Sequence, residues 1–161
     1  MAGAYGHIPH VPKRGDILLG QVISVGDKIA TASISLMLRL DENIKMLQLP
    51  RVTHAYIFRG DVGVPCVSIG DVLKIGDIVL GSVKIDWFRP VFLSLNGESL
   101  GIVCAVCPNC GIIMPKPRDL SMLICPRCKT ARRTKISILY NPAIWYELHK
   151  RHKIRIYSPL Q

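Results

Sequence analysis

The chain has 161 residues, a formal net charge of +10, six cysteines and a hydrophobic fraction of 49%. That length suits one ordinary domain, or two small ones in which a metal replaces part of a core, and the hydrophobic fraction excludes intrinsic disorder. The longest uncharged stretch, residues 99–115, is broken by a Pro-Asn-Cys-Gly turn and is too short to span a membrane; residues 1–16 show no apolar run after a basic start, which predicts no secretory signal and a reducing, cytoplasmic setting.

Residues 1–14 hold proline and histidine breakers without periodicity and read as an extended arm. Residues 16–25 (DILLGQVISV) read as a strand bounded by Gly-Asp turn signals on both sides. Over residues 28–40 the even positions Ala30, Ala32, Ile34, Leu36, Leu38 and Leu40 are apolar, while Thr31, Ser33, Ser35 and Arg39 are polar, a period of two that predicts a strand with one buried face. Residues 44–49 read as a short returning strand and 52–59 as a further one. Residues 60–75 form a connection rich in Gly and Pro, with room for one helical turn. Residues 78–86 (IVLGSVKID) repeat the texture of the first strand, and 91–95 (VFLSL) close the set. Five or more short strands at regular turn spacing, with no helix among them, predict a mainly β chain with a small five-stranded closed barrel over residues 15–99.

Gly76-Asp77 followed by IVLGSVKIDW and VFLSLNG is similar to the last two strands of the OB-fold RNA-binding domain first named for the largest bacterial small-subunit ribosomal protein; residues 16–25 match its first strand, and AYIFRGDV (residues 55–62) stands where that family has a Gly-Leu-Ile-His-Ile-Ser stretch. The resemblance implies RNA binding by exposed side chains of the middle strands, where this chain offers His54, Tyr56 and Phe58. Strand alternation puts these three on one face. Facing outward they would stack on unpaired bases; facing inward, Tyr56 and Phe58 would be ordinary core, in competition with Ile57. Trp87 and Phe88, at a strand end, have the same two readings.

Cys107-Pro-Asn-Cys110 is followed after fourteen residues by Cys125-Pro-Arg-Cys128. Two Cys-x-x-Cys turns at this separation supply four thiolates for one structural zinc ion, with no open position for catalysis. Residues 100–139 thus read as a zinc ribbon that the metal must help to fold. Glycine at 111 suits the turn after the first pair; Lys129 replaces it after the second. Cys104 would extend the run Cys104, Cys107, Cys110 into the start of an iron–sulfur string, but the fourth ligand expected near Met114 is missing, so Cys104 reads as a buried strand residue and Cys66 as a small hydrophobe. Replacing Cys107 or Cys128 by Ser is expected to unfold the ribbon and spare the barrel.

The order of barrel and knuckle, joined by LGIVCAVCPNCG and followed by Arg-Arg-Thr-Lys at 132–135, resembles the RNA-binding cap subunit of the archaeal exosome. This resemblance implies a non-catalytic protein that guides RNA into a phosphorolytic ring, with other protein subunits as partners. The family's N-terminal docking domain has no counterpart in the arm, which leaves open a paralogue serving another RNA assembly.

Charge supports a polyanionic partner. Residues 1–103 carry ten Lys or Arg against nine acids, whereas residues 104–161 carry eleven against two. The cations expected to meet RNA are Arg127, Lys129, Arg132, Arg133 and Lys135 of the ribbon and Lys150, Arg151 and Lys153 of the tail. In that tail, residues 140–161, Asn141-Pro142 starts a short basic helix, KIRIY (153–157) alternates like a strand, and the helix serves either RNA or a partner protein. An enzyme is disfavoured: no His-x-Glu or Cys-x-Glu accompanies the cysteine pairs, no phosphate loop is present, and His7, His10, His54, His149 and His152 lack an evident carboxylate or nucleophile. The alternatives to an exosome subunit are a ribosome-associated protein binding rRNA through ribbon and tail and, less favoured, a transcription-machinery adaptor. Neither a membrane nor a small-molecule substrate is expected.

Overall fold

The computed structural model describes residues 12–40, 44–47, 53–85 and 90–157, with the backbone alone for 39–40, 44–47 and 152–157. The arm expected over 1–14 falls almost wholly outside these residues, as do Trp87 and Phe88.

Strand β1 (Ile17–Val25) pairs antiparallel with β2 (Ile29–Leu40). The far end of β2 carries the short β3 (Ile44–Leu47), and its near end pairs with β4 (Thr53–Phe58). After two single 3-10 turns, the second closed by a reciprocal Ser68–Asp71 capping box, β5 (Ile78–Val83) returns antiparallel to β1. Strand β6 (Val91–Ser94) then lies antiparallel to β5 and parallel to β4. The ring β1-β2-β4-β6-β5-β1 closes, giving the expected five-stranded barrel. β1 and β5 are entered through the same Lys-x-Gly-Asp turn, in which Asp16 accepts the Lys13 amide at 2.8 Å and Asp77 the Lys74 amide at 2.9 Å.

The period of two in β2 is interrupted where the sequence shows no break. Leu19 pairs with Leu36 and Gly20 with Ile34, so Ser35 bulges from the ladder. Ala30, Ala32 and Ile34 face the barrel interior with Leu18, Val22, Ala55, Ile57 and Leu93; past the bulge Met37 takes over the interior. Leu36 and Leu38 are thereby turned outward into a second core with Leu19, Ile78, Leu80, Val103 and Cys104.

Helix α1 (Pro142–Tyr157) covers that second core through Trp145 and Leu148, and His149 Nδ1 lies 2.9 Å from the bulged Ser35 hydroxyl. The tail therefore packs on its own barrel. Asn141 caps it as expected, its side chain accepting the Ile144 amide at 3.4 Å. KIRIY is helix rather than strand: lengthening an existing helix adds one hydrogen bond per residue, whereas a strand needs an edge to pair with.

Strand β7 (Gly101–Cys104), placed by sequence in the ribbon, pairs with β5, so the chain leaves the barrel while still bonded to it. Strands β8 (Met122–Ile124) and β9 (Ala131–Arg133) form the ribbon hairpin. The buried Tyr140 hydroxyl donates to the Met114 carbonyl and accepts the Ala105 amide, and burial pushes its pKa up. Cys104 is buried as expected, its thiol raised to about 12 by burial and then by the charge of Asp77. Cys66 is half-buried against the core. Among the described residues no helix is long and apolar enough to cross a membrane.

Candidate nucleic-acid interface and metal centre

In β4, Ala55 and Ile57 are fully buried, so alternation turns His54, Tyr56 and Phe58 to the outer face. Phe58 is 41% exposed. The parallel neighbour β6 adds Phe92, whose ring stacks on Phe58 at 5.2 Å between centroids with 24° between planes, and lies 6.3 Å from Tyr56. Three aromatic rings and an exposed imidazole thus form one outward platform. Phe92 is not among the residues the sequence reading singles out. The signal for it is the alternation of VFLSL, which buries Val91, Leu93 and Leu95 and leaves Phe92 on the opposite face.

The four cysteines of the two knuckles converge: the Sγ atoms of Cys107, Cys110, Cys125 and Cys128 all lie within 4.8 Å of one another. Each pair sits on the same turn. The Cys107 amide donates to Ile112 O and the Gly111 amide to Cys107 O; the Cys125 amide donates to Thr130 O and the Lys129 amide to Cys125 O. The turn requires a left-handed residue after the second cysteine, supplied by Gly111 at φ +79° and by Lys129 at φ +63°, the non-glycine residue at positive φ among those described. The Thr130 hydroxyl and amide hold the Cys128 thiol down at about 5. Four sulfur donors at this spacing, with no other ligand type, form a closed set that fits a metal ion in a structural role.

The cations divide. Arg127, Lys129 and Arg133 are exposed on the ribbon, and Lys150 and Arg151 on α1, where Lys150 Nζ lies 5.9 Å over the Tyr146 ring. Lys153 lies in the helix, outside the residues with described side chains. Arg132 corrects the expectation of a phosphate contact. It is 6% exposed, its guanidinium grips Asp77 with both terminal nitrogens at 2.9 and 2.7 Å, and it donates further to Val72 O and Val106 O. Lys135 is also engaged internally: its ammonium donates to Gly97 O and Leu100 O at 2.6 Å each. Burial lowers its pKa, and the charge of Glu98 acts the other way. Gly101, at φ +125°, lets the segment at Lys135 approach, since a Cβ there would stand 2.6 Å from the Lys135 carbonyl.

Asp77 is the missed residue of consequence. Fully buried, it accepts the Arg132 fork, the Lys74 amide and, at 3.4 Å, the amide of Val106, the residue before the first ligand cysteine. Ribbon and barrel are bolted at this carboxylate.

No protein-family model matches the chain. It is similar to the exosome complex component Csl4 of Archaeoglobus fulgidus, 29% identical over 145 residues that take in 86% of this chain and 72% of the relative. The closed five-stranded barrel and the four-cysteine cluster agree with that likeness, and together they fit an OB-fold barrel followed by a zinc-ribbon-like module.

Proposed function

We propose that this protein is a non-catalytic RNA-binding subunit of an exosome assembly. The observation that carries the reading is the outward platform of Tyr56, Phe58 and Phe92 beside His54 on a closed barrel, the arrangement that single-stranded RNA needs for base stacking. The likeness to an exosome component favours that assembly over a ribosomal or transcriptional one. Residues 15–99 act as the RNA-binding barrel, 100–139 as the ribbon and 140–161 as a basic tail. The ion is one structural Zn2+ held by Cys107, Cys110, Cys125 and Cys128, since a closed set of four thiolates suits zinc and leaves no position for a reactive water. Arg127, Lys129, Lys150 and Arg151 contribute phosphate contacts that position RNA without reading its sequence.

The test of the assembly is gentle purification of the tagged protein from its native cells, with and without nuclease, followed by gradient sizing. Co-migration with exosome-sized particles that survive nuclease is the expected result. Co-migration with a ribosomal subunit would overturn the assignment, and RNA turnover by the isolated protein would overturn the non-catalytic role.

A further inference from the structure

Two surface grooves meet at residues 64–66. One, of about 350 Å³, runs beside Arg59, Gly60 and Asn96, immediately past the ends of the strands that carry Phe58 and Phe92. The other, of about 780 Å³, lies between barrel and ribbon, with Leu120 and Ile138 on its apolar walls and Arg133 at its side. Val64, Pro65 and Cys66 line both, so the two grooves share a wall, and the smaller one begins at Arg59, the residue after Phe58.

The charged groups of the larger groove are not equivalent. Asp71 is held by the Ser68 amide at 3.1 Å, the Lys135 ammonium by two carbonyls, and Glu98 is the acid whose charge acts on Lys135. Arg133 makes no hydrogen bond or ion pair among the described residues. Its guanidinium is therefore left to face whatever fills the groove, beside apolar walls that accept flat groups. A phosphate chain carrying unpaired bases matches that combination, as it matches the stacked rings at the other end.

We infer that a single RNA strand runs from the Phe58–Phe92 platform across the 64–66 saddle into the barrel–ribbon groove, where Arg133 holds a phosphate. This inference rests on the RNA-binding reading above and extends it: the ribbon prolongs the barrel's RNA site, and Arg133 sets how many nucleotides are held. An RNA of about four nucleotides, the lower end for one barrel of this kind, occupies the platform alone, and a longer one reaches the groove.

The test uses the full chain with its metal and labelled oligouridylates of 4 and 16 nucleotides, read by fluorescence anisotropy over a range of salt. Arg133→Ala, an exposed change, should leave 4-mer affinity unchanged and weaken 16-mer binding roughly 3- to 10-fold, with the salt slope smaller by about 0.7. A 4-thiouridine near one end of the 16-mer should crosslink within residues 120–136. Wild-type affinity and slope for the 16-mer in Arg133→Ala, or crosslinks confined to the barrel, would overturn the path while leaving the platform intact. Failure of the RNA-binding reading is separate: Phe58→Ala would then leave 4-mer binding unaltered, and the path would fall with it.

Discussion

Removing the Arg132 side chain strands Asp77, a carboxylate with no exposure whose remaining donors are two backbone amides. Breaking a buried pair from one side costs about 3–5 kcal/mol because the partner charge stays buried. Arg132→Ala should therefore lower unfolding free energy by about that amount in urea titration, whereas Arg133→Ala should change it by less than about 0.5 kcal/mol. Equal effects of the two would contradict the bolt. The knuckles allow a parallel comparison. Gly111→Ala forces a Cβ into a left-handed position at a cost of about 1–2 kcal/mol, while Lys129→Gly, already at φ +63°, should not destabilise the metal-loaded protein in thermal melts. The ligand cysteines were legible at this scale because their spacing is itself the chemistry. Arg132 and Arg133 were not separable, because adjacent arginines differ only in which face of a three-residue strand they occupy, and no periodicity can be read from so short a strand.

The metal site is joined to the barrel by the contacts of Asp77 and by Cys107, Met114, Leu123 and Cys125, which pack in the same core cluster as the barrel interior. Val106, next to Cys107, gives its amide to Asp77 and its carbonyl to Arg132, and Arg132 follows Cys128 by four residues. Loss of the metal should thus loosen the entry to β5 as well as the ribbon. The expectation that Cys107→Ser spares the barrel is replaced by its opposite: chelation or Cys107→Ser should lower one shared thermal transition and speed hydrogen exchange at the β5 amides. An unchanged barrel transition beside a lost ribbon would restore the earlier expectation. Among the elements, the barrel strands followed directly from alternation. What alternation hid was the bulge at Ser35, which turns Leu36 and Leu38 to the outer face and creates the surface on which α1 docks. A one-residue bulge leaves the apolar pattern intact while exchanging the faces, so the docked tail was invisible in the sequence.

For the whole molecule, the sequence placed the positive charge in the last third of the chain but could not say which cations are committed to folding. With Arg132 and Lys135 bonded internally, the exposed cations of that third among the described side chains are Lys116, Arg118, Arg127, Lys129 and Arg133 of the ribbon and Lys150 and Arg151 of the helix. RNA affinity should fall steeply between low and high salt, as phosphate contacts release counterions. A salt-independent affinity would place the binding energy elsewhere. Whether the aromatic platform holds RNA is decided by the affinity of the metal-loaded Phe58→Ala/Phe92→Ala protein for a single-stranded RNA, with circular dichroism to check the fold. Base–aromatic stacking contributes about 1–3 kcal/mol per base, so the double variant should bind at least roughly ten-fold more weakly while keeping its fold and thermal transition. A folded double variant that binds RNA as tightly as the wild type would show that RNA is held elsewhere.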